Sequence, residues 1–331
     1  MPHMSDAPSS NSSFYCLKNK AGVEVELIPL GARVGAIRFP IDGQLTNLAL
    51  SYDNISDYEK DPFFIGTTAG RFANRICEGR FEIDGEEFQL PLNDGHNSLH
   101  GGPGGFHTKV WQVEQRSATE LTFLLQSPDG DQGYPGTLNV QVKYSLSEDS
   151  KIEIEFSATT NQPTIINLCN HAYFNLGATN IKQLELMMSA NQYLPIYSDG
   201  IPEGLHNSVV GTSLDFMKAK SLAGVFDHLD DVVKARSGFD HALILCRPQL
   251  DHLSAQLKNP ENGMHLDLYT DQPSLQIYSG QYLDTPFQPF GGICLEAQGC
   301  PDAPNKPYFP SALLRPGQGY KRTVVYHFYQ K

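Results

Sequence analysis

The sequence contains no apolar run that approaches the roughly 20 residues needed to cross a bilayer. It also lacks a charged N-terminal region followed by an apolar one, which is the pattern of a secretory signal. These two absences predict a cytoplasmic protein that does not have a membrane as its partner.

Cysteine is scarce and scattered along the chain. The six cysteines are Cys16, Cys77, Cys169, Cys246, Cys294 and Cys300. None of them forms a Cys-x-x-Cys spacing, so the pattern favours reduced thiols over disulfides or a zinc site. We therefore expect no bound metal.

Basic residues are outnumbered by acidic ones. The chain has 24 lysines and arginines against 37 aspartates and glutamates, which gives a net charge of -13. This balance argues against a nucleic acid or an anionic membrane surface as partner, because both carry dense negative charge. A neutral small molecule is a more compatible ligand. With 331 residues, 40% of them hydrophobic, the chain is long enough to bury a large core.

Helical periodicity is also rare. We predict only two short helices, one over Ser56–Lys60, with Ser56 as its cap and Pro62 after its end, and one over Leu222–Val233. Strands that follow one another without intervening helices favour antiparallel sheets over parallel βαβ units.

Alternation with a period of two dominates the chain and predicts short strands between turn residues. The predicted strands are Val23–Leu27, Leu121–Leu125, Leu138–Tyr144, Lys151–Phe156, Pro163–Cys169, Leu184–Met188, Leu243–Cys246, His265–Tyr269, Leu275–Tyr278 and Thr323–Phe328. Phe81–Leu90 is predicted to be a hairpin, because Asp84-Gly85 supplies the positive φ angles of a tight turn. The predicted fold class is all-β, a single large antiparallel β-sandwich with few short helices. Residues 14–331 would form this one domain, and the Ser-rich residues 1–13 a disordered tail or a remnant of the expression vector.

Five segments gather polar residues in turn-like contexts. They are Gly70–Ile76, Asn97–His107, Asn170–Leu176, Gly238–His241 and Cys294–Gln298. The third combines His171 with two amides and two aromatic rings, a mixture that suits the hydroxyls and apolar faces of a sugar. In the fifth, Glu296 stands among apolar residues, where burial would raise its pKa and suit it to general base catalysis.

Each segment also has a purely structural interpretation. His171 could be a buried histidine bonded to backbone, and Glu296 could lie on the outer face of its strand. Asp240 could simply cap a turn. The glycine-rich Asn97–His107 loop lacks the order of a P-loop or a dinucleotide turn, so it does not predict a nucleotide site. The residues alone leave these alternatives open.

Six motifs, taken together and in order, are more specific than any one of them. They are Asn74-Arg75, Leu99-His100-Gly101-Gly102, Asn170–Leu176, Gly238–His241, Gln276 within Gln272–Tyr278, and Leu295–Gln298. They resemble the motifs of the aldose 1-epimerase (galactose mutarotase) family, and the resemblance extends from about Val23 to Leu314–Gly317. It implies a galactose mutarotase-like sandwich with a sugar cleft on one face. The implied activity interconverts the α and β anomers of a free aldose, such as galactose or glucose, without a cofactor.

The resemblance also implies a role for each matching residue. Glu296 would be the general base that removes the C1 hydroxyl proton, and His171 the general acid that protonates the ring oxygen. His100 would be an auxiliary donor near the reacting oxygens. The residues expected to bind ring hydroxyls are Asn74, Arg75, His100, Asp240 and Gln276. Arg71 has no such role and is expected to be structural.

The sequence differs from the commonest form of the family motifs at Ala172 and at Ala297–Cys300. We expect the second difference to reshape the cleft wall. Three other activities remain compatible with parts of the pattern. A hexose-6-phosphate 1-epimerase would need an arginine cluster, for which Arg71 and Arg75 are the candidates near the motifs. A non-catalytic sugar-binding protein would not require both Glu296 and His171, and a glycoside hydrolase would use Asp240 and Glu296 as paired carboxylates. The sequence leaves open whether the protein is a monomer or a homodimer.

Overall fold

The computed structural model of the protein describes residues 14–115 and 117–331. The tail predicted for residues 1–13 lies outside this part of the chain. The strands are β1 (Tyr15–Lys18), β2 (Glu24–Ile28), β3 (Arg33–Ile41), β4 (Gln44–Asn47), β5 (Thr68–Ala69), β6 (Arg75–Ile76), β7 (Arg80–Ile83), β8 (Glu86–Gln89), β9 (Ser98–Leu99), β10 (Gln112–Gln115), β11 (Glu120–Ser127), β12 (Leu138–Leu146), β13 (Lys151–Thr160), β14 (Thr164–Ile165), β15 (Cys169–Asn170), β16 (Tyr173–Phe174), β17 (Glu185–Met188), β18 (Ala190–Tyr193), β19 (Asn207–Ser208), β20 (Lys220–Ser221), β21 (Asp240–Leu245), β22 (Ala255–Asn259), β23 (Met264–Thr270), β24 (Ser274–Tyr278), β25 (Ile293–Gln298), β26 (Leu313–Leu314) and β27 (Tyr320–Gln330). The α-helices are α1 (Ile55–Tyr58), α2 (Leu222–Phe226) and α3 (Asp231–Lys234).

Three sheets make up most of the described structure. The largest has nine strands in the order β10-β11-β12-β13-β27-β23-β22-β17-β20. The second has six strands in the order β16-β25-β24-β21-β18-β19, and β1 to β4 form the third. Every pairing between these named strands is antiparallel. The predicted all-β antiparallel fold is confirmed.

The alternating pattern of the sequence decides which side of each strand is buried. In β12 the residues Leu138, Val140, Val142, Tyr144 and Leu146 are buried, and those between them face outward to varying degrees. A slip of one residue would turn this whole apolar set to solvent, so the register is strongly specified.

One continuous apolar core joins the three sheets. It contains Val142 and Ile154 of the nine-stranded sheet, Leu275 and Leu295 of the six-stranded sheet, and Val25 of the third. Full burial of each such side chain contributes roughly 1.5–3 kcal/mol. That residues 14–331 form one domain stays a prediction from the sequence.

The hairpin prediction is confirmed. Strands β7 and β8 pair with Phe81 opposite Phe88, and the turn residues Asp84 and Gly85 have φ angles of 54° and 87°. The strand predicted over Pro163–Cys169 is only partly present, as the two-residue strands β14 and β15.

Both helix predictions need correction. Helix α1 begins at Ile55 after Asn54, so Ser56 lies inside the helix instead of capping it. The helix predicted over Leu222–Val233 is two helices, α2 and α3. The break falls where the Asp230 side chain accepts the backbone N–H of Val233 and thereby starts α3 as its N-cap.

Candidate active site

One face of the six-stranded sheet carries a row of polar side chains. Glu296 on β25 lies directly opposite Gln276 on β24, and Gln276 in turn pairs with Ala242 on β21. Because side chains alternate along a strand, Asp240 shares this face with Glu296 and Gln276. The other face of β25 presents Leu295 to the core. The apolar residue next to Glu296 in the sequence therefore belongs to the buried face of the sheet, and the Glu296 side chain points away from that face.

His171 faces Glu296 from the neighbouring segment between β15 and β16. Its Nε2 lies 3.7 Å from Glu296 Oε1, and both side chains are almost fully buried. The backbone of His171 is fixed at both sides, since its N–H donates to the Thr67 carbonyl and its carbonyl accepts from Gly66. Tyr173 packs on the imidazole with ring centroids 5.1 Å apart, and this contact helps to fix the orientation of the ring.

His100 completes a group of three buried titratable side chains. Its Nδ1 accepts the backbone N–H of Asn74, and the Asn74 carbonyl accepts the backbone N–H of His100. A nitrogen that accepts cannot carry a proton, so a neutral His100 has its proton on Nε2. Burial, and then the neighbouring His171, keep the pKa of His100 well below its ordinary value, so the ring is neutral at pH 7. His100 is thus a fixed single donor, as its predicted auxiliary role requires.

The loop that carries His100 depends on glycine. Gly101 has a φ of 86°, and a Cβ on it would lie 2.0 Å from the carbonyl oxygen of Gly70. Any side chain there would therefore push His100 away from Asn74. The glycines of this loop permit close packing of backbone on backbone.

A charged network holds Asp240 beside the pocket. One Asp240 oxygen accepts from Arg236 and the other from Gln276, each at 2.7 Å. Arg75 lies 3.9 Å from the same carboxylate and donates to Asp94 at 2.7 Å. Burial alone would raise the pKa of the Asp240 carboxyl, but Arg75 and Arg236 hold it below its ordinary value. Asp240 is therefore ionised at neutral pH.

An aromatic wall stands opposite this network. The Phe64 ring lies 4.7 Å from the His100 ring and 5.9 Å from the His171 ring, measured between centroids. The loop that carries it is fixed by the buried Asp61 carboxylate, which accepts from the backbone of Ile65 and from the buried Arg33. An apolar ring beside hydroxyl-binding groups suits the C–H face of a sugar.

These side chains line one cavity of about 490 Å³. Its lining residues are Pro62, Phe63, Phe64, Asn74, Arg75, Asp94, Leu99, His100, His171, Tyr173, Arg236, Asp240, Tyr278, Tyr282 and Glu296. This volume is within the usual range for small-molecule sites. A larger groove of about 600 Å³ on the nine-stranded sheet is lined by amides, hydroxyls and aliphatic side chains with Lys321, and it has no acid–base pair among its lining residues. We therefore assign the chemistry to the smaller cavity.

The structure brings together every residue predicted for the site. Glu296, His171, His100, Asn74, Arg75 and Asp240 line the cavity. Gln276 lies behind Asp240, and its side-chain oxygen is buried without a partner. As predicted, Arg71 is structural, because it is buried and donates to the backbone carbonyls of Pro135 and Gly136. Ala297–Cys300 lie outside the lining residues, so they do not form the cleft wall as expected.

Sequence reasoning missed several residues of the cavity. Asp94 and Arg236 each bind a predicted site residue, and Phe64, Tyr278 and Tyr282 provide aromatic surface. Asp94 stands in an Asn-Asp-Gly turn, where aspartate is ordinary and gives no functional signal. Their roles become visible only when distant segments are brought together.

The same geometry bears on metal binding. Among the described residues, His100, His171 and Glu296 each bring one donor atom within 4.8 Å of the others. Such a spacing occurs in proton-transfer sites and around divalent ions alike. The absence of a metal therefore stays a prediction, which a chelator can test.

Two solved structures share this architecture. An aldose epimerase homologue from C. elegans superposes with a TM-score of 0.91 at 29% identity, covering 96% of this chain and 99% of that one. Galactose 1-epimerase from Lactobacillus acidophilus NCFM gives a TM-score of 0.87 at 32% identity, covering 95% of this chain and 93% of that one. The protein is therefore a β-sandwich of the galactose mutarotase-like class.

Sequence comparison identifies the family within that class. The aldose 1-epimerase family model matches residues 13–327. Aldose 1-epimerase of Escherichia coli (strain K12) is 37% identical over 325 residues, which cover 94% of each chain. Galactose mutarotase of Mus musculus is 37% identical over 319 residues, 92% of this chain and 91% of that protein. The chain belongs to the aldose 1-epimerase family and is an enzyme of the epimerase (mutarotase) type.

No helix in the described part of the chain is long and apolar enough to cross a membrane.

Proposed function

We propose that the protein interconverts the α and β anomers of free aldohexoses, with galactose and glucose as substrates. The observation that carries this proposal is the opposition of the His171 imidazole and the Glu296 carboxylate across 3.7 Å at one cavity. The ring oxygen and the C1 hydroxyl of a cyclic aldose are bonded to the same carbon. An acid and a base that serve these two oxygens must therefore lie close to each other, as these two side chains do.

The mechanism needs only proton transfers and one bond rotation. Glu296 removes the C1 hydroxyl proton while the protonated His171 donates its Nε2 proton to the ring oxygen. The bond between C1 and the ring oxygen breaks, and C1 becomes an aldehyde carbon. After rotation about C1–C2, the freed hydroxyl attacks the opposite face of the carbonyl. His171 takes that hydroxyl proton and Glu296 returns its own to the carbonyl oxygen, so the enzyme regains its starting state.

Burial gives the base its strength. Burial raises the pKa of Glu296, and the adjacent His171 partly opposes this shift. A carboxylate with a raised pKa is a stronger base than an exposed one. Positioned proton transfer of this kind contributes roughly 10²–10⁴-fold to rate.

The rest of the cavity provides partners for the sugar hydroxyls. The ionised Asp240 is an acceptor, and Arg75, Asn74 and the Nε2–H of His100 are donors. Gln276 lies behind Asp240 and donates to it, so its contact with the sugar stays a prediction from the resemblance. The names of the relatives, aldose 1-epimerase and galactose mutarotase, support a free sugar as substrate.

A sugar phosphate fits this cavity less well. Of the two lining arginines, Arg236 donates to Asp240 and Arg75 donates to Asp94. Their charges are thus already compensated by carboxylates. Arg71, the other arginine considered from the sequence, donates to backbone carbonyls away from the cavity. Neither lining arginine is therefore free to pair with a phosphate dianion, and Arg71 does not line the cavity.

Polarimetry tests the substrate class directly. Freshly dissolved α-galactose, α-glucose and glucose 6-phosphate are each followed to optical equilibrium with and without the protein. The proposal predicts faster equilibration of the two free sugars, with little or no effect on the phosphate. Acceleration of the phosphate alone would overturn the choice of substrate, and no acceleration of any sugar would overturn the activity. A cytoplasmic location and a monomeric or homodimeric state stay predictions from the sequence.

A further inference from the structure

Two buried thiols touch the proposed acid and base. Cys294 Sγ lies 3.6 Å from Nδ1 of His171, and Cys169 Sγ donates to Glu296 Oε2 at 3.5 Å. Both cysteines are fully buried and neither forms a disulfide. The mechanism above uses neither of them.

The two contacts are arranged crosswise. Cys169 stands two residues before His171 but contacts Glu296, and Cys294 stands two residues before Glu296 but contacts His171. Residues two apart in a strand share a face, so one side of β25 presents Cys294 together with Glu296. His171 therefore contacts the thiol that precedes Glu296 in the sequence, and Glu296 contacts the thiol that precedes His171.

A thiol has a property that suits this position. It is a weak donor through S–H and a weak acceptor through sulfur. When Nε2 gives its proton to the ring oxygen, the neutral ring keeps its other proton on Nδ1, so Nδ1 donates in both protonation states of His171. The Cys294 sulfur can accept from Nδ1–H in both states, and this contact leaves Nε2 as the nitrogen that exchanges its proton with the sugar.

The thiols are neutral at the pH of the reaction. Burial, and then the nearby Glu296, raise the pKa of Cys294 well above its ordinary value, and the same two causes act on Cys169. A thiolate beside either catalytic group would add a negative charge to the site. The protonated form avoids this.

We propose, resting on the proposed function, that Cys294 and Cys169 are positioning residues of this site, the first for His171 in both of its protonation states and the second for ionised Glu296. Other titratable or charged groups that face the pair or the thiols are His100, His107, Tyr173, Tyr326, Arg75 and Asp240.

The proposal predicts opposite shifts for the two thiols. In Cys294→Ala the buried Nδ1 has no partner, which disfavours the charged ring more than the neutral one, so the basic limb of the kcat/KM profile moves to lower pH. In Cys169→Ala the Glu296 carboxylate loses a donor, which disfavours the ionised form, so the acidic limb moves to higher pH. Each change narrows the profile from one side, by about half a pH unit for so weak a hydrogen bond.

The chain offers a matched control in Cys300. This cysteine is also buried and reduced, and it contacts Ser274 instead of the catalytic pair. Cys300→Ala creates a similar small cavity and should leave both limbs in place. Cys294→Ser supplies a hydroxyl oxygen that can also accept from Nδ1–H, so its basic limb should lie close to that of the wild type.

The experiment is a polarimetric pH profile of kcat/KM for wild type and the four variants, with melting temperatures measured in parallel. Movement of one limb in each of Cys294→Ala and Cys169→Ala, with the limbs of Cys300→Ala unmoved, supports the proposal. Profiles of Cys294→Ala and Cys169→Ala that match Cys300→Ala overturn the proposal, and so does a basic limb in Cys294→Ser at the same pH as in Cys294→Ala. If the wild type itself does not accelerate mutarotation, the proposed function has failed, which is a different result.

Discussion

Replacement of Asp240 by alanine should raise KM strongly and change kcat little. The carboxylate lies at the cavity, where its two oxygens accept from Arg236 and Gln276, and it is too far along the sheet face from Glu296 to serve the same two sugar oxygens as the acid–base pair. It therefore contributes to binding of the sugar in the ground state and in the transition state alike. Loss of such uniform binding appears in KM.

The magnitude follows from the charge of the group. A hydrogen bond to an ionised partner contributes roughly 1.5–3 kcal/mol, and each 1.4 kcal/mol corresponds to about tenfold in affinity. KM should therefore rise about 10- to 100-fold. The free energy of unfolding should fall by about 2 kcal/mol, less than for a fully buried ion pair, because Arg75 keeps its contact with Asp94.

Initial rates from polarimetry over a range of galactose concentrations give both constants. Asp240→Asn should behave like Asp240→Ala. Both carboxylate oxygens accept hydrogen bonds, from Arg236 and Gln276, and the NH2 group of an asparagine would face one of these donors. Asp267→Ala is the matched control, since Asp267 is also buried and bonded to Gln256 and Tyr329, but on the nine-stranded sheet. An unchanged KM in both Asp240 variants would refute the binding role, and a similar rise in the Asp267 variant would show that general destabilisation causes it.

Three further predictions follow from the described contacts. The pH dependence of kcat/KM should be bell-shaped. Its acidic limb should lie above pH 4.5, the ordinary pKa of a glutamate, because burial raises the pKa of Glu296 and the base must be ionised. An acidic limb at or below pH 4.5 would contradict the burial argument. Asp61→Asn leaves Arg33 as a buried, unpaired cation, so denaturant titration should show a loss of about 3–5 kcal/mol, whereas a loss below about 1 kcal/mol would mean that the pair is not buried as described. Dialysis against EDTA should leave kcat and KM unchanged, and loss of activity that a divalent metal restores would make His100, His171 and Glu296 a metal site.

The strands were predictable because their signal is local. A buried sheet face requires an apolar residue at every second position, and that pattern is visible within five residues, as in β12. The tight turn at Asp84 and Gly85 was predictable for a similar reason, since few residues adopt positive φ without strain.

The helix errors came from a pattern that continued across a break. Apolar residues from Leu222 to Val233 recur at helical spacing, so the interval looked like one helix. Asp230 was the signal that mattered, because its side chain caps a second helix at Val233. A capping residue inside a segment with helical periodicity is therefore a stronger indication of a helix start than the periodicity is of one continuous helix.

The resemblance to the family identified the site residues, and the fold showed which of them contact one another. No local pattern could show that His171 and Glu296 face each other, because strand pairing between distant segments brings them together. The role of Arg236 was hidden in the same way. It stands four residues before Asp240, a spacing that is common for ion pairs on the exposed face of a helix. The crosswise thiol contacts were equally invisible, although the Cys-x-His and Cys-x-Glu spacings stand in the sequence.

The central claim is that His171 and Glu296 act as one proton-transfer pair, and mutarotation kinetics of five proteins test it most directly. Equilibration of freshly dissolved α-galactose is followed by polarimetry for wild type, Glu296→Gln, His171→Asn and the double variant, with Glu155→Gln on the nine-stranded sheet as control.

Each single variant should lose at least about 10²-fold in kcat, and the double variant should be little worse than either, since groups that act as a unit are not additive. The Glu155 variant should match wild type. Rates in Glu296→Gln and His171→Asn that equal the wild-type rate would contradict the account.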